Sequence, residues 1–553
     1  MTEAGHKAVR WLACFLAAIG SGVLTAAGFA PWENLSTPWA ALVPLLLLAR
    51  YRPPREVFRW GLLSGLVVWL TGLAWLLALH DTAFISWPVI TLGWAALSAY
   101  CALYTAVFAW AVARWFRWTG TDIIWRNAVS VVVIPMFWSG LEYLRGVLFT
   151  GFPWNPLGVT QAGNPAVAQV AEFGGVYLVS AVVVLFNTSV MLTLIRYADW
   201  RNIKAYRPHI ELFMALAVLG GCIVWGRSRY AQFGSQAGNL LVGIVQPAVP
   251  QNVKWDVAFA TGVQDTLERL TGEAVDMSTT LARKRPDLVI WPETSTPGDV
   301  TEEGYSAQLE SLARRHGPLL VGTLYDNRSE MFNSALLYDR DGSLAGRYDK
   351  QHLVPFGEFL PLDKVIPALQ SFSPLGISLS AGRVPTVFRV PGHDARFSVT
   401  ICFEDIFPEL SRRFVREGAR LLVNQSNDAW FDGTSEHRQH LNNSIMRCIE
   451  NRVPGVRVSN SGASGFIEPN GRVYRTGFAE AVDGWLGAPG PLADGEPLAD
   501  VSLVDVPEAG QGGTLYTRLG DAVWGIPSAA VLAVWVLLAV FYVDRTKSEG
   551  DRA

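Results

Sequence analysis

Charged residues are scarce in this sequence: only 17% of its 553 residues are Asp, Glu, Lys or Arg. A soluble domain usually carries about 25%, so the shortage excludes a chain that is soluble along its whole length. The shortage is uneven, because residues 11–225 are almost unbroken apolar segments while residues 236–520 have ordinary mixed polarity. We therefore predict a transmembrane bundle over residues 1–228, a globular domain over 236–505 and a C-terminal transmembrane helix over 520–545.

Cysteine is also rare, with five residues and no paired spacing, which excludes a disulfide framework. Four of them lie in apolar or helical stretches: Cys14, Cys101, Cys222 and Cys448. A metal-ligand motif is missing as well, since His437 and His440 stand in a predicted helix without a third ligand. We therefore expect neither a metal nor another cofactor. The formal net charge of −3 gives no basis for a nucleic-acid partner.

Several apolar segments approach the length of about 20 residues that a membrane span requires. They are residues 11–30, 37–50, 58–80, 86–113, 124–148, 166–195 and 209–226, and the C-terminal stretch 522–543. The bundle is therefore predicted to have about seven helices before the globular domain. Lys7 and Arg10 before the first segment also fit a cleaved signal peptide, but the later segments need an anchor of the same orientation.

The loops between these segments differ in their basic residues. Loops 31–36 and 80–87 contain no Lys or Arg. The loops after the second, fourth and sixth segments are basic: Arg50, Arg52, Arg55, Arg59, Arg114, Arg117, Arg126, Arg196, Arg201, Lys204 and Arg207. Because cytoplasmic loops are the basic ones, we predict a multi-pass inner-membrane protein with both termini in the cytoplasm and its globular domain in the periplasm.

The predicted globular domain alternates short β-rich runs with helical stretches. The predicted strands are 240–245, 287–291, 319–324, 335–338, 344–348, 397–401, 420–424, 456–459 and 465–467. The predicted helices are 263–284, 306–316, 408–417 and 436–451. Such alternation is typical of a layered α/β domain, and the active residues of such a domain lie at strand ends.

Three reactive side chains follow predicted strands. Glu293 comes directly after the apolar run 288–291, where a partly buried carboxylate suits a general base. Cys402 stands at a strand-to-helix turn, near backbone N–H groups that favour a thiolate and an oxyanion. Lys350 closes a predicted hairpin, and Glu358 follows it in a Pro-Phe-Gly-Glu run where it is placed to hold the ammonium. Each of the three, taken alone, is more often structural or solvated than catalytic.

With their flanking residues, these positions resemble the nitrilase superfamily, whose members use Glu, Lys and Cys in that chain order. The specific resemblance is to its membrane-bound branch, the apolipoprotein N-acyltransferase family. The matching stretches are 245–247, 251–255, 291–294, 350–358, 401–404, 424–431 and 447–452, together with Trp138, Glu142, Arg145 and 151–154. They cover nearly the whole chain in the expected order. Two positions depart from the family pattern, since Phe403 stands where Tyr is common and Ser426 where Thr is more usual.

The resemblance implies an αββα sandwich for the globular domain and an acyltransferase activity. A membrane phospholipid, typically phosphatidylethanolamine, would acylate Cys402, and the thioester would pass the chain to the α-amine of an S-diacylglyceryl cysteine on an apolipoprotein. That transfer is the last step of lipoprotein maturation. Glu293 would act as the base, while Lys350 and the Phe403 N–H would stabilise the oxyanion. The resemblance adds a supporting set: Glu358, Glu404, Phe403, Trp255, Asn424 and Trp430.

Two other functions stay open at this point. A membrane-tethered amidase would use the same three residues to hydrolyse a small amide or nitrile, although a single anchor would serve it. A transporter or receptor with an inactive binding domain would carry charged residues along a pathway through its spans. The candidates for such a pathway are Glu142, Arg145 and Glu172, which lie near span ends.

Overall fold

The computed structural model describes residues 2–120, 123–198, 209–233, 238–296, 298–301, 304–360, 378–474, 497–508 and 513–541. They form two compact units. The helical unit comprises Met1–Leu77, Trp87–Tyr230 and Leu519–Ala553, and the globular unit comprises Ala78–Ser86 and Ala231–Arg518. Four parts of the orientation prediction lie outside the described residues: Arg201, Lys204, Arg207 and the tail 545–553.

Up to residue 230 the described chain is mostly helical. Its helices are α1 (Glu3–Ala26), α2 (Pro38–Ala41), α3 (Val43–Tyr51), α4 (Pro54–Gly72), α5 (Leu79–Thr82), α6 (Trp87–Thr119), α7 (Ile124–Val147), α8 (Ala171–Ala198) and α9 (Ile210–Tyr230). Among the described residues, six helices are long and apolar enough to cross a membrane, and a pair bent by 46°, Pro54–Gly72 with Ala74–Thr82, would make a seventh. These helices include the C-terminal one and correspond to all of the predicted spans except the second.

The second predicted span, 37–50, consists instead of two short helices that meet at Leu42. Pro44 in the first turn of α3 has no N–H to continue the preceding helix. The buried side chain of Asn187 on α8 satisfies the groups at this break: its Oδ1 accepts from Leu42 N at 2.9 Å, and its Nδ2 donates to Pro38 O at 2.8 Å. The apolar pattern alone did not reveal this interruption.

Small residues bring α4 and α6 into close contact. A Cβ added at Gly61 would stand 2.7 Å from the Ala109 Cβ, and one at Gly65 would stand 2.8 Å from the Ala102 Cα. Two glycines four residues apart lie on one face of a helix, and such faces let membrane helices approach until their backbones pack directly. A larger residue at either position would push the two helices apart.

The globular unit contains two six-stranded sheets, ordered β12-β1-β2-β3-β4-β5 and β11-β10-β9-β8-β7-β6. The strands of the first sheet are β1 (Leu240–Gln246), β2 (Leu288–Ile290), β3 (Leu319–Asp326), β4 (Met331–Tyr338), β5 (Leu344–Asp349) and β12 (Leu498–Val504). Those of the second are β6 (Phe388–Arg389), β7 (Arg396–Ile401), β8 (Leu421–Ser426), β9 (Gly455–Ser459), β10 (Gly465–Ile467) and β11 (Val473–Tyr474). The strands β1, β2 and β3 are parallel neighbours, as are β7, β8 and β9.

Helices cover the two sheets, so the predicted α/β sandwich is confirmed. The helices are α10 (Ala260–Ala282), α11 (Tyr305–His316), α12 (Pro408–Arg416) and α13 (Glu436–Asn451), and the shorter α14 (Leu515–Leu519) precedes the C-terminal α15 (Gly525–Phe541). On the first sheet, Leu267 and Leu270 of α10 share a buried core with Val245 and Val289. Burying each such side chain stabilises the fold by about 1.5–3 kcal/mol. Between the sheets, Gln425 Nε2 donates to Trp291 O at 2.6 Å.

The predicted strands and helices of this unit are all present, with ends that differ by a few residues. The prediction missed the outer strands β6, β11 and β12. Two of these are only two residues long, and an edge strand of that length has no periodicity to detect. β4 also begins at Met331 rather than at 335, because the polar pair Asn333 and Ser334 interrupts its apolar pattern.

Candidate active site

Glu293 lies just beyond the carboxyl end of β2, in a turn that requires close packing. The following residue, Thr294, has a φ of +44°, a left-handed conformation that is strained for a β-branched side chain. The turn packs directly on Gly322 of the adjacent β3. A side chain at that position would clash with the turn, because its Cβ would stand 2.3 Å from Pro292 O. The Glu293 side chain is buried, with 6% of its surface exposed.

Lys350 follows β5 and is almost completely buried, at 1% exposure. Its Nζ lies 2.8 Å from Glu358 Oε1 and 3.3 Å from Glu293 Oε1. Burial alone would lower the pKa of Lys350, but the Glu358 and Glu293 carboxylates outweigh it and hold the pKa above its ordinary value. The structure therefore brings together two of the three predicted residues, with Lys350 as a cation between two carboxylates.

Asn333 on β4 joins the same two carboxylates, a role that the sequence did not reveal. Its Nδ2 donates to Glu293 Oε1 at 2.7 Å and to Glu358 Oε1 at 2.9 Å. Its main-chain carbonyl accepts from Lys350 N at 2.8 Å. Asn333 thus fixes the positions of Glu293 and Glu358 through its side chain and of Lys350 through its main chain. An asparagine in a largely apolar strand was a signal that could have pointed to it.

Cys402 follows β7 in a turn with a φ of +51°. Its side chain is partly exposed, but the site still desolvates it. Burial, reinforced by the negative charge of Glu293, raises the pKa of the thiol to about 12, while the cations Lys350 and His440 act in the opposite direction. The Glu293 and Lys350 charges thus act on the Cys402 thiol. At neutral pH the resting residue is a thiol, and it needs a base to become a nucleophile.

Glu404 connects the segment after Lys350 to the Cys402 turn. Its carboxylate accepts from the Tyr348 hydroxyl at 2.9 Å and from three backbone N–H groups, those of Gln351 at 2.6 Å, His352 at 3.0 Å and Ile401 at 2.8 Å. A carboxylate offers about four lone-pair sites, so these donors occupy it. The contacts favour the predicted supporting role for Glu404.

A polar network lies behind the nucleophile. The Cys402 carbonyl accepts from Asn424 Nδ2 and lies within hydrogen-bond distance of His440 Nε2, both at 3.1 Å. Arg457 orders both partners, since its Nη1 donates to Asn424 Oδ1 at 2.6 Å and its Nη2 lies 2.9 Å from His440 Nδ1. Asn424 was predicted as a supporting residue. His440 and Arg457 were not, although an arginine between two valines of a predicted strand could have pointed to the network.

The contacts of the three predicted aromatic residues involve residues other than Glu293, Lys350 and Glu358. Phe403 packs edge-on against Phe407, with ring centroids 5.1 Å apart. Trp255 is 36% exposed, and its ring lies 5.8 Å from Lys254 Nζ. The carbonyl of Trp430 accepts from the hydroxyl of Thr82 at 2.8 Å, which ties the segment Ala78–Ser86 to the rest of the globular unit.

Among the described residues, Asp428, Glu436 and His440 place ligand atoms within 4.8 Å of one another, close enough to hold a metal ion. The donor set does not fit one, because a cation already occupies this place. Arg457 Nη2 donates to Asp428 Oδ2 at 2.5 Å and also contacts His440. A metal ion would have to displace a buried guanidinium from its carboxylate partner.

Two family models match this chain. The Apolipoprotein N-acyltransferase N-terminal domain matches residues 21–189, and Carbon-nitrogen hydrolase matches residues 241–481. The apolipoprotein N-acyltransferase of Geobacter metallireducens is 34% identical, with 94% of this chain and 94% of the relative covered. That of Bradyrhizobium diazoefficiens is 30% identical and covers 95% and 94%. Among solved structures, the NitN amidase from Neterenkonia sp. AN1 is 17% identical over 49% of this chain and 93% of its own, with a TM-score of 0.35.

Proposed function

Because this chain belongs to the apolipoprotein N-acyltransferase family, we propose that it N-acylates the N-terminal S-diacylglyceryl cysteine of apolipoproteins. The acyl donor is a membrane phospholipid, with phosphatidylethanolamine as the first candidate. The observation that carries the proposal is the buried Glu293–Lys350–Glu358 cluster, whose Glu293 and Lys350 charges act on Cys402, in a carbon-nitrogen hydrolase domain on a chain rich in apolar helices.

In the first half-reaction, Glu293 takes the proton from the Cys402 thiol and the thiolate attacks the ester carbonyl of the phospholipid. Lys350 and the Phe403 N–H stabilise the oxyanion of the tetrahedral intermediate. The C–O bond then breaks, lysophospholipid leaves with the proton from Glu293, and a thioester remains on Cys402. The pKa of about 12 for the resting thiol supports this order of events, since a thiol so weakly acidic needs an adjacent base.

In the second half-reaction, the α-amine of the acceptor attacks the thioester carbonyl. An α-amino group has a pKa of about 8, so Glu293 removes a readily lost proton as the amide forms. The C–S bond breaks and Cys402 recovers its proton. Dividing the transfer into two acyl exchanges lets one base and one oxyanion site serve both steps.

The proposed substrates explain why the chain has so many apolar helices. Both are lipids whose long chains stay in the bilayer, so the ester and the amine meet the enzyme at the membrane surface. The charge asymmetry of the loops supports a periplasmic globular domain with cytoplasmic termini. A soluble-substrate amidase would have no use for this bundle.

The contacts of the charged residues in the helical unit count against a transporter. Glu142 Oε1 accepts from the Trp138 indole and from Leu157 N, both at 2.7 Å. Arg145 Nη1 donates to two loop carbonyls, those of Phe152 at 2.8 Å and Trp154 at 2.6 Å. These side chains fix the loop that follows α7, a structural use that explains their burial without a transport pathway.

A thioester assay tests the proposed function. Purified protein in detergent is incubated with phosphatidylethanolamine that carries a labelled acyl chain, and the protein-bound label is then treated with hydroxylamine. We expect a hydroxylamine-labile adduct in the unmodified protein and in the Cys448→Ser control, but not in Cys402→Ser. A diacylglyceryl peptide added next should take up the label as a stable amide. Absence of the adduct would reject the proposal, and release of free fatty acid in place of the amide would favour the amidase.

A further inference from the structure

A second buried lysine lies beside the site and has no role in the mechanism above. Lys254 belongs to the loop between β1 and α10, and only 4% of its surface is exposed. Burying an ammonium costs free energy unless partners offset it. An alkyl side chain would fill the same space without that cost, so the contacts of the ammonium need an explanation.

The Lys254 ammonium binds the turn that carries the proposed base. Its Nζ donates to Glu293 O at 3.2 Å and to Thr294 Oγ1 at 3.1 Å. This is the turn in which Thr294 adopts a φ of +44°. A residue held in that conformation relaxes unless its surroundings fix it, and relaxation of this peptide would swing the adjacent Glu293 carboxylate away from Cys402.

The loop that presents Lys254 is itself fixed to the globular unit. Lys254 N donates to Pro250 O at 3.2 Å within a tight turn. The side chain of Gln251 accepts from Asn427 Nδ2 at 2.9 Å, which anchors the loop beyond the end of β8. The ammonium therefore reaches the Glu293 turn from a second, independently held element and not from a flexible surface arm.

The charge of Lys254 also acts on the reacting groups. Burial lowers the pKa of Lys254 to about 8, and the negative charges of Glu293 and of the Cys402 thiolate oppose that decrease. The residue is thus mostly a cation at neutral pH, and Coulomb attraction is mutual, so it favours the thiolate in return. Among the described residues, the ammonium contacts Glu293 O, Thr294 Oγ1 and the ring of Trp255, and the charges of Glu293 and Cys402 act on it.

We propose that Lys254 is a positioning residue: its ammonium locks the strained turn at Thr294, aims the Glu293 carboxylate at Cys402 and adds a second positive charge beside the nucleophile. The proposal rests on the roles of Glu293 and Cys402 in the proposed function.

Two variants separate the hydrogen bonds from the charge. Lys254→Met removes both while keeping the length of the side chain. Thr294→Val keeps the cation and the β-branched shape but removes one acceptor. Lys284→Met serves as the matched control, because Lys284 is a half-exposed lysine at the start of the segment before β2. Each variant is compared with the unmodified protein for its rate of Cys402 acylation at saturating and at low phospholipid concentration.

We expect Lys254→Met to lower the acylation rate at saturating phospholipid by about 10²-fold, with the half-saturating concentration unchanged. Thr294→Val should lower it roughly tenfold, as expected for one lost hydrogen bond. Lys284→Met should match the unmodified protein. Lys254→Arg restores the charge and should recover a measurable part of the lost rate.

The pH dependence of Cys402 alkylation by iodoacetamide supplies a readout that a merely structural lysine would not move. Below pH 8, where Lys254 is charged, loss of the cation should slow the alkylation of Lys254→Met, while Thr294→Val should be alkylated as fast as the unmodified protein. An acylation rate within threefold of the unmodified protein overturns the proposal, and so does a reduced acylation rate with unchanged alkylation. Alkylation needs no phospholipid, so this arm still reports on Lys254 if the unmodified protein forms no acyl adduct and the proposed function fails.

Discussion

The two sheets of the globular unit each carry half of the candidate site, and the halves are built differently. On the first sheet, the Lys350 ammonium binds the Glu293 and Glu358 carboxylates directly. On the second sheet, Cys402 is held through its main-chain carbonyl, by Asn424 and His440. The first half brings together the side chains proposed for proton transfer, and the second fixes the backbone of the proposed nucleophile.

The buried charges of the two halves should therefore matter for different properties, catalysis in the first half and folding in the second. In the first half, an altered charge should change the chemistry, because Glu293 and Lys350 are the groups proposed to act on the substrate and Glu358 holds the Lys350 ammonium. In the second half, Arg457 neutralises Asp428 and orders Asn424 and His440 at a distance from the thiol. Loss of Arg457 should therefore first affect folding, and through folding the position of Cys402.

The largest expected effect is on the acylation rate, when Lys350→Met removes the cation from the first half of the site. We expect the rate of Cys402 acylation to fall by about 10³-fold or more, because the oxyanion loses a donor and two buried carboxylates lose their shared cation. Single-turnover acylation with labelled phospholipid measures the change, with the half-exposed Lys284→Met as control. A variant that keeps a tenth of the rate would remove Lys350 from the mechanism.

The next largest effect is on stability, when Arg457→Met removes the buried guanidinium from the second half of the site. Arg457→Met removes the Asp428 partner that lies 2.5 Å away and leaves His440 at 3.3 Å, which should lower the free energy of unfolding by about 3–5 kcal/mol. Denaturant unfolding of the protein in detergent measures it. The control is Arg389→Met, whose pair with Asp394 is largely exposed, and it should unfold as the unmodified protein does. Unchanged stability with lost activity would instead place Arg457 in the chemistry.

The smallest expected effect is a shift in the pH dependence of Cys402 alkylation, which tests the electrostatic coupling between the two halves. The negative charge of Glu293 raises the pKa of the Cys402 thiol, so Glu293→Gln should lower that pKa and shift iodoacetamide alkylation toward lower pH. Glu310→Gln, on the surface of α11, should leave the alkylation profile unchanged. A shift toward higher pH would show that the two side chains are not coupled as the structure has them.

The same contrast decides how much could be predicted from the sequence. Glu293, Lys350 and Cys402 each follow a strand, and their order along the chain was enough to group them. Asn333 and Lys254 contact the same cluster. Their local sequence patterns predict only a strand for Asn333 and a loop for Lys254, and do not indicate these contacts. Long-range contacts of this kind have no periodicity, so the sequence could not assign them.

For the fold, too, elements with a local pattern could be predicted, and features that depend on distant residues could not. The apolar periodicity and turn residues located the central strands and helices, since burial dictates those patterns. The break in the second apolar segment depends on Asn187, which lies about 145 residues further along the chain from Leu42. The edge strands β6 and β11 depend on their neighbours in the sheet in the same way, because two residues carry no pattern of their own.

The segment Ala78–Ser86 has a consequence for the modularity of this protein. The segment belongs to the globular unit while the chain on either side of it belongs to the helical unit, so the polypeptide changes unit after residues 77, 86, 230 and 518. A protein trimmed to residues 231–518 would lack Thr82 and its hydrogen bond to Trp430. Excision or domain exchange by cutting at residues 230 and 518 would therefore transplant an incomplete unit, and a chimera would have to graft two separate pieces of sequence.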